Sequence, residues 1–365
     1  MKKLSDLSFN EVSVSDIKAW AKCLTLSLSR VIDNRLNLSP ANDDIPLPDS
    51  LATVKAVITE VSTASNDDDG FNLSPLYIWQ GGKRKLIKAY EPNFPARNTV
   101  QHYIEPFFGA GALFCEVVCR YQGITTHIND INRELISVLN AIKNDKEEFC
   151  EYLAVIEEDY LAQPSNQFKK KFFYTVRERY WMQAVNELTT ETAAMLYFMM
   201  KTSFRGIWSV KSKGKYKGLY RGSVGLPFNR YFIDYDLIEN WHVVLQNTHI
   251  TCGSYKDIQV PDNSFIFCDP PYRYCSVDYG FGFSDEDHKD LITWCQEKKK
   301  NGSEVWLCNQ DSYDNFFEIN ARDSIIKSFE YCYSARKSST RKAKELLMIW
   351  KDKTTINNEN DLIFS

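Results

Sequence analysis

An acid, two prolines and an aromatic stand in a row at Asp269-Pro270-Pro271-Tyr272, directly after the apolar run Ser264-Phe265-Ile266-Phe267-Cys268. The run reads as a buried strand of a parallel sheet, and the prolines fix a rigid, extended exit from it because they offer no N–H to a ladder. A carboxylate, a free carbonyl and an aromatic face then sit at the carboxyl edge of a sheet, where open α/β folds bind ligands. Such a set suits a planar base with an exocyclic amine, which needs acceptors for its N–H groups and a ring to stack on. A Pro-Pro turn after an ordinary strand is the plain alternative.

Three further stretches could position a ligand beside that tetrad. Residues Tyr103 to Phe114 read as strand, Gly-x-Gly loop and helix, with Gly109 and Gly111 permitting a tight turn and close approach to the backbone. A second short strand, Thr126-His127-Ile128-Asn129-Asp130, ends about twenty residues on in an acid, a placement that suits ribose hydroxyls. Trp79-Gln80-Gly81-Gly82-Lys83 adds a glycine pair followed by a cation.

In this order and spacing the chain resembles the Dam-like adenine-N6 DNA methyltransferases, the α-ordered D12 class that uses S-adenosylmethionine. The resemblance continues through Phe204-Arg205-Gly206-Ile207, Phe283 with Asp287-His288, Asn309-Gln310-Asp311-Ser312 and Arg341-Lys342-Ala343-Lys344-Glu345-Leu346-Leu347, and it spans residues 76 to 350. It implies a catalytic tetrad Asp269, Pro270, Pro271 and Tyr272. Asp269 and the Pro270 carbonyl would accept the two N6 hydrogens of an extruded adenine, and Tyr272 would stack on the base. It also implies cofactor contacts from Trp79, Gly82, Lys83, Glu105, Pro106, Phe107, Gly109, Gly111, Asp130, Ile131, Tyr255 and Asp269, with Asp130 on the ribose and Lys83 on the methionine carboxylate. Ser254-Tyr255 stands where the family often has Asp-Phe, a departure at the usual acidic contact that still leaves Tyr255 to flank the cofactor's adenine.

The expected fold is a doubly wound, mostly parallel α/β sheet with an inserted, mainly helical DNA-recognition lobe carrying a basic hairpin. Residues 1–75 read as a helical extension that the family lacks, with helices over Ile17–Ile32 and Ala52–Val61. Residues 76–142 and 249–365 supply the two parts of the core, and 143–248 the lobe. A further short buried strand is expected at Glu304–Cys308, preceded by a helix over Asp285–Lys300, and a terminal strand at Glu345–Trp350.

Composition and charge narrow the rest. Hydrophobic residues make up 44% of the 365 and charged ones 25%, as in an ordinary globular protein, and no run of eighteen apolar residues occurs. Met1 to Asp6 lacks the apolar core of a signal peptide, so a cytoplasmic protein is expected. The ten cysteines form no Cys-x-x-Cys and no zinc spacing, so no metal is expected. Net charge is −4, yet residues 201–233 hold eight Lys or Arg and no acid. That local basic face, interleaved with aromatics, fits a nucleic-acid-reading lobe, and the resemblance implies double-stranded DNA as its partner, through Lys201, Phe204, Arg205, Ser209, Lys211, Lys213, Lys215, Lys217 and Arg221. Members that methylate GATC carry Asn, Arg and a proline where this chain has Arg205, Ser209 and Leu219. A different or relaxed target is therefore expected, with Arg205 or Arg221 in contact with bases.

Rival readings keep the catalyst and change the substrate to cytosine N4 or RNA adenine, or take the chain as a DNA-binding regulator with an idle methylase core. A nicotinamide-binding protein lacks support, since Phe114 stands where its third glycine belongs. Monomer or weak dimer on DNA is the expectation for oligomeric state.

Overall fold

The structure is a computed structural model, and it describes residues 72–78, 83, 86–121, 123–274, 282–332 and 342–351. The two N-terminal helices expected from the sequence lie outside the described residues, as do Trp79, Gly81, Gly82 and Arg341.

Short apolar runs ending in polar punctuation form the strands β1 His102–Glu105, β2 Thr125–Asp130, β3 Thr248–Cys252, β4 Phe265–Cys268, β5 Glu304–Gln310, β6 Ile325–Cys332 and β7 Lys342–Trp350. They make one seven-stranded sheet in the order β3-β2-β1-β4-β5-β7-β6. The first five are parallel, with Tyr103 opposite Phe265 where β1 meets β4. β7 is antiparallel to both β5 and β6. The strand order reverses between β1 and β4, and a doubly wound sheet leaves its ligand crevice at the carboxyl ends of such a pair. β6 was not expected from the sequence.

Side chains alternate strictly between two cores, as strand geometry requires. One face carries Tyr103, Phe265, Phe267, Trp306, Cys308, Leu347 and Ile349. The other carries Ile104, Ile266, Cys268, Val305, Leu307, Leu346, Met348 and Trp350. Against the first face lie α2 (Ala112–Arg120), α3 (Arg133–Asn144), and the inserted helices α4 (Lys146–Leu161), α5 (Asn166–Ala184), α6 (Thr190–Thr202) and α7 (Tyr235–Gln246). α1 is a single turn, Ile87–Tyr90. The second face is covered by α8 (Asp285–Lys300) and α9 (Phe316–Asn320). α8 matches its expected bounds, because Ser284 and Asp287 form a capping box and three acids open the helix while three lysines close it.

α6 is buried on every side from Thr192 to Met200, so it forms the axis around which the inserted helices pack. Trp241 of α7 stacks on Phe114 of α2 at 5.4 Å between ring centroids. Insertion and sheet therefore share one continuous hydrophobic core.

Candidate functional site

The loop after β1 turns on two glycines with positive φ, +54° at Gly109 and +64° at Gly111. A Cβ at Gly111 would lie 2.4 Å from the Phe108 ring, so no other residue fits there. Gly111 then caps α2, and the Gly109 N–H donates to Asp130 Oδ2 at 2.8 Å. Asp130 Oδ1 accepts from Asn132 N at 2.9 Å, and Asn132 in turn caps α3. Burial raises the Asp130 carboxyl above its usual range, and these two N–H groups pull it back. Asn129 ties the β1 and β3 exits together by donating to Pro106 O and Gly253 O, each at 3.0 Å. Ile131, an apolar side chain just past the acid, is 51% exposed.

Phe107 is half-buried between Tyr255, at 5.3 Å, and Phe283, at 5.9 Å. Glu105 is buried and accepts from the Tyr103 hydroxyl at 2.7 Å. Desolvation holds its carboxyl well above the carboxylate range despite that bond.

At the end of β4, Pro270 is buried while Asp269, Pro271 and Tyr272 are half-buried. Lys83 Nζ, on a residue only 3% exposed, donates to Asp269 Oδ1 at 2.7 Å and also to the Tyr272 hydroxyl. The same ammonium lies 4.6 Å from the Tyr272 ring centroid. The Tyr272 hydroxyl donates to Glu345 Oε2 at 2.9 Å, Tyr90 donates to Glu345 Oε1, and Glu345 Oε1 stands 3.8 Å from Lys83. Burial pulls the Lys83 ammonium down, but Asp269 and Glu345 outweigh it and hold it above its usual range. Lys83, given to a cofactor carboxylate by the sequence, is thus engaged with the tetrad itself.

Glu345 and Tyr90 had no role in the sequence reading. A lone acid opening the apolar run 346–350 was the available signal for Glu345. Arg273 was also missed. Its guanidinium binds Asp285 at 2.8 Å and Asp314 at 2.9 Å and lies 3.8 Å from the Phe316 ring centroid, while its N–H donates to Asn309 Oδ1. These bonds lock the tetrad's exit onto α8 and the segment after β5.

In the insertion, Phe204 and Arg205 sit on a one-turn helix and are exposed, with Arg205 at φ +56° and Gly206 at +63°. A Cβ on Gly206 would meet the Ile78 carbonyl at 2.1 Å, so the turn needs glycine. A hairpin follows, with Val210 bridged to Tyr220 and Arg221 N donating to Ser209 O at 2.7 Å. Lys213, Lys215, Lys217 and Arg221 are exposed, while Lys201, Ser209 and Lys211 are half-buried. Lys211 lies 4.6 Å from the Trp181 ring centroid, and burial lowers the Lys201 ammonium. No His, Cys, Asp or Glu cluster fit for a metal occurs among the described residues. Nor is any described helix long and apolar enough to cross a membrane.

The sequence is similar to a type II methyltransferase, M.MjaIII, of Methanocaldococcus jannaschii, with 27% identity covering 68% of this chain and 88% of that one. It is 26% identical to the DNA adenine methylase of Escherichia coli K12, covering 75% of this chain and 94% of that one. A type II methyltransferase, M.CviBI, of the Paramecium bursaria Chlorella virus NC1A is 29% identical, covering 62% and 80%. The family model described as D12 class N6 adenine-specific DNA methyltransferase matches residues 79–344, from before Lys83 to the start of β7. Its span takes in the glycine loop, the β2 acid, the insertion and the tetrad, and the chain belongs to that D12 class family.

Proposed function

We propose that this chain transfers a methyl group from S-adenosylmethionine to N6 of an adenine extruded from duplex DNA. The observation that carries the reading is the tetrad's position: Asp269 leaves β4 at the strand-order reversal, next to the β1 glycine loop that is bonded to Asp130. The residues present fit the cofactor. Asp130 offers acceptors to ribose hydroxyls, exposed Ile131 and the face of Phe107 suit a purine, and Tyr255 brings a buried hydroxyl without a partner among the described residues. S-adenosylmethionine supplies a methyl group made electrophilic by a sulfonium.

The chain's own groups prepare the amine. Ion-paired to Lys83, Asp269 offers acceptors only, and with the Pro270 carbonyl it takes the two N–H bonds of N6. Both bonds draw the nitrogen toward a tetrahedral form, which frees its lone pair for the new C–N bond. In such a transfer the sulfonium would keep the pair of its broken S–C bond, and the proton that N6 then loses would pass to solvent by way of the Asp269 carboxylate hydrogen-bonded to it. No covalent enzyme intermediate is needed, and such alignment can be worth ~7–11 kcal/mol. An adenine inside a duplex cannot reach these groups, so it must flip out, at a cost of a few kcal/mol. Exposed Phe204 and the lysines of the hairpin suit the gap and the phosphates.

The test is methyl transfer to DNA by the wild-type protein and by Asp269→Ala, with single-molecule sequencing of the product. N6-methyladenine in a defined context, lost in the variant, is expected. Methylation of cytosine alone, or of RNA alone, would overturn the assignment. The target is other than GATC or relaxed, because Ser209 cannot grip guanine as an arginine does. Protection of the DNA from a methylation-sensitive GATC nuclease would contradict this.

A further inference from the structure

A short stretch of chain joins the β2 acid to the basic hairpin. Asp130 Oδ1 accepts from Asn132 N, and Asn132 Oδ1 accepts from Glu134 N at 3.1 Å. Glu134 is 3% exposed, and its carboxylate is bonded to the insertion rather than to the sheet edge. Tyr220 N donates to Glu134 Oε1 at 2.9 Å and to Oε2 at 3.2 Å, and the Tyr180 hydroxyl donates to Oε1. On the other side of the same residue, Tyr220 O accepts from Trp181 Nε1 at 2.7 Å. Both backbone polar groups of Tyr220 are thus held by core helices, α3 and α5. Tyr220 is the buried end of the hairpin strand that returns from Lys213, Lys215 and Lys217, and Arg221 follows it.

A buried carboxylate is a costly way to hold a loop, and an apolar residue of similar volume would fill the space more cheaply. Burial pushes the Glu134 carboxyl up to about 7, although Tyr180 and Tyr220 pull it down. Packing alone does not fix the hairpin. A cavity of about 300 Å³ lies beside the carboxylate, lined by Asn132, Arg133, Trp208, Lys217 and Leu219.

We infer that Glu134 is a positioning residue, which sets the hairpin's register on DNA from the same helix whose cap holds Asp130. The inference rests on the reading that the hairpin faces DNA. If it holds, Glu134→Ala raises KM for DNA about tenfold and lowers discrimination against a one-base change in the target about tenfold, each equal to ~1.4 kcal/mol. Its kcat at saturating DNA and its affinity for S-adenosylmethionine stay within about threefold of wild type, and amide exchange rises across residues 209–221. Glu134→Gln can still accept from Tyr220 N–H and donate to the Tyr180 oxygen, so it restores most of the loss. Trp181→Phe, which frees Tyr220 O, acts in the same direction.

Unchanged KM and discrimination in Glu134→Ala would overturn the inference. So would kcat and cofactor affinity falling in step with DNA binding. If that variant does not fold, Trp181→Phe decides, and unaltered discrimination there has the same force. Failure of the enzymatic reading shows differently, as wild-type protein that methylates no DNA; hydrogen exchange in the variants then decides alone whether Glu134 holds the hairpin.

Discussion

Lys83 has three N–H donors, and two are spent on Asp269 and the Tyr272 oxygen, with Glu345 close by. One cation therefore answers two carboxylates, and the tyrosine hydroxyl bridges Lys83 to Glu345. Glu345→Gln keeps an acceptor for Tyr272 but removes the second negative charge. We expect the variant to fold and to bind DNA normally. Its single-turnover methyl transfer should slow by about 10–100-fold, because a displacement of about 1 Å at the reacting groups has effects of that size. An unaltered single-turnover rate would reduce Glu345 to a structural role. The tetrad, Asp130 and the glycines were legible because each punctuates a local apolar run. The engagement of Lys83 and Glu345 was not, since residues 83, 269 and 345 meet only through the tertiary fold.

Among the elements, α8 does more than cover one face of the sheet. His288 is fully buried against Phe283 and Phe317, with no hydrogen-bond partner for either ring nitrogen among the described residues. Desolvation first, then the Arg273 cation, lowers its pKa to about 4 from 6.5. Well above pH 6.5 the ring is neutral folded or unfolded and adds no pH dependence. Between pH 6.5 and about 4 only the unfolded chain takes up the proton, so stability drains away by roughly 2–3 kcal/mol as pH falls. His288→Leu should lose that part of the acid-side slope, which denaturant titrations at pH 6.5 and 4.5 would reveal as a difference between the two proteins. α8 itself was readable from its cap and charges. β6 was not, because nothing local in Ile325–Cys332 announces that the last described strand will insert between it and β5.

For the molecule as a whole, the decisive property is unequal charge. Eight cations and no acid fall within residues 201–233 while the full chain carries −4, so the remainder holds a clear acidic excess. On the proposed reading, this basic segment is the part turned toward the polyanion. Replacing Lys213, Lys215 and Lys217 by Ala should reduce the slope of log affinity against log salt by up to about three, each phosphate contact contributing ~0.9. The loss should be equal on specific and unrelated DNA, as fluorescence anisotropy over a salt series would show. A slope identical to wild type would remove the hairpin from the phosphate contacts. Charge clustering could be read from the sequence directly. The continuity of insertion and sheet in one core could not, because Trp241 and Phe114 find each other only after the chain has gone out and returned.

That return journey dictates when the enzyme can first exist. β1 lies against β4 only after the entire insertion has been made, and the carboxylate of Glu345 arrives with the last described strand. Pairings so distant along the chain form late, since a long loop must close before they give anything back. A ribosome partway through this message therefore holds a chain whose glycine turn and proline pair are already synthesised yet still apart. Methylating competence should switch on abruptly once Glu345 has been made and is free to fold, instead of growing with the length of the nascent polypeptide.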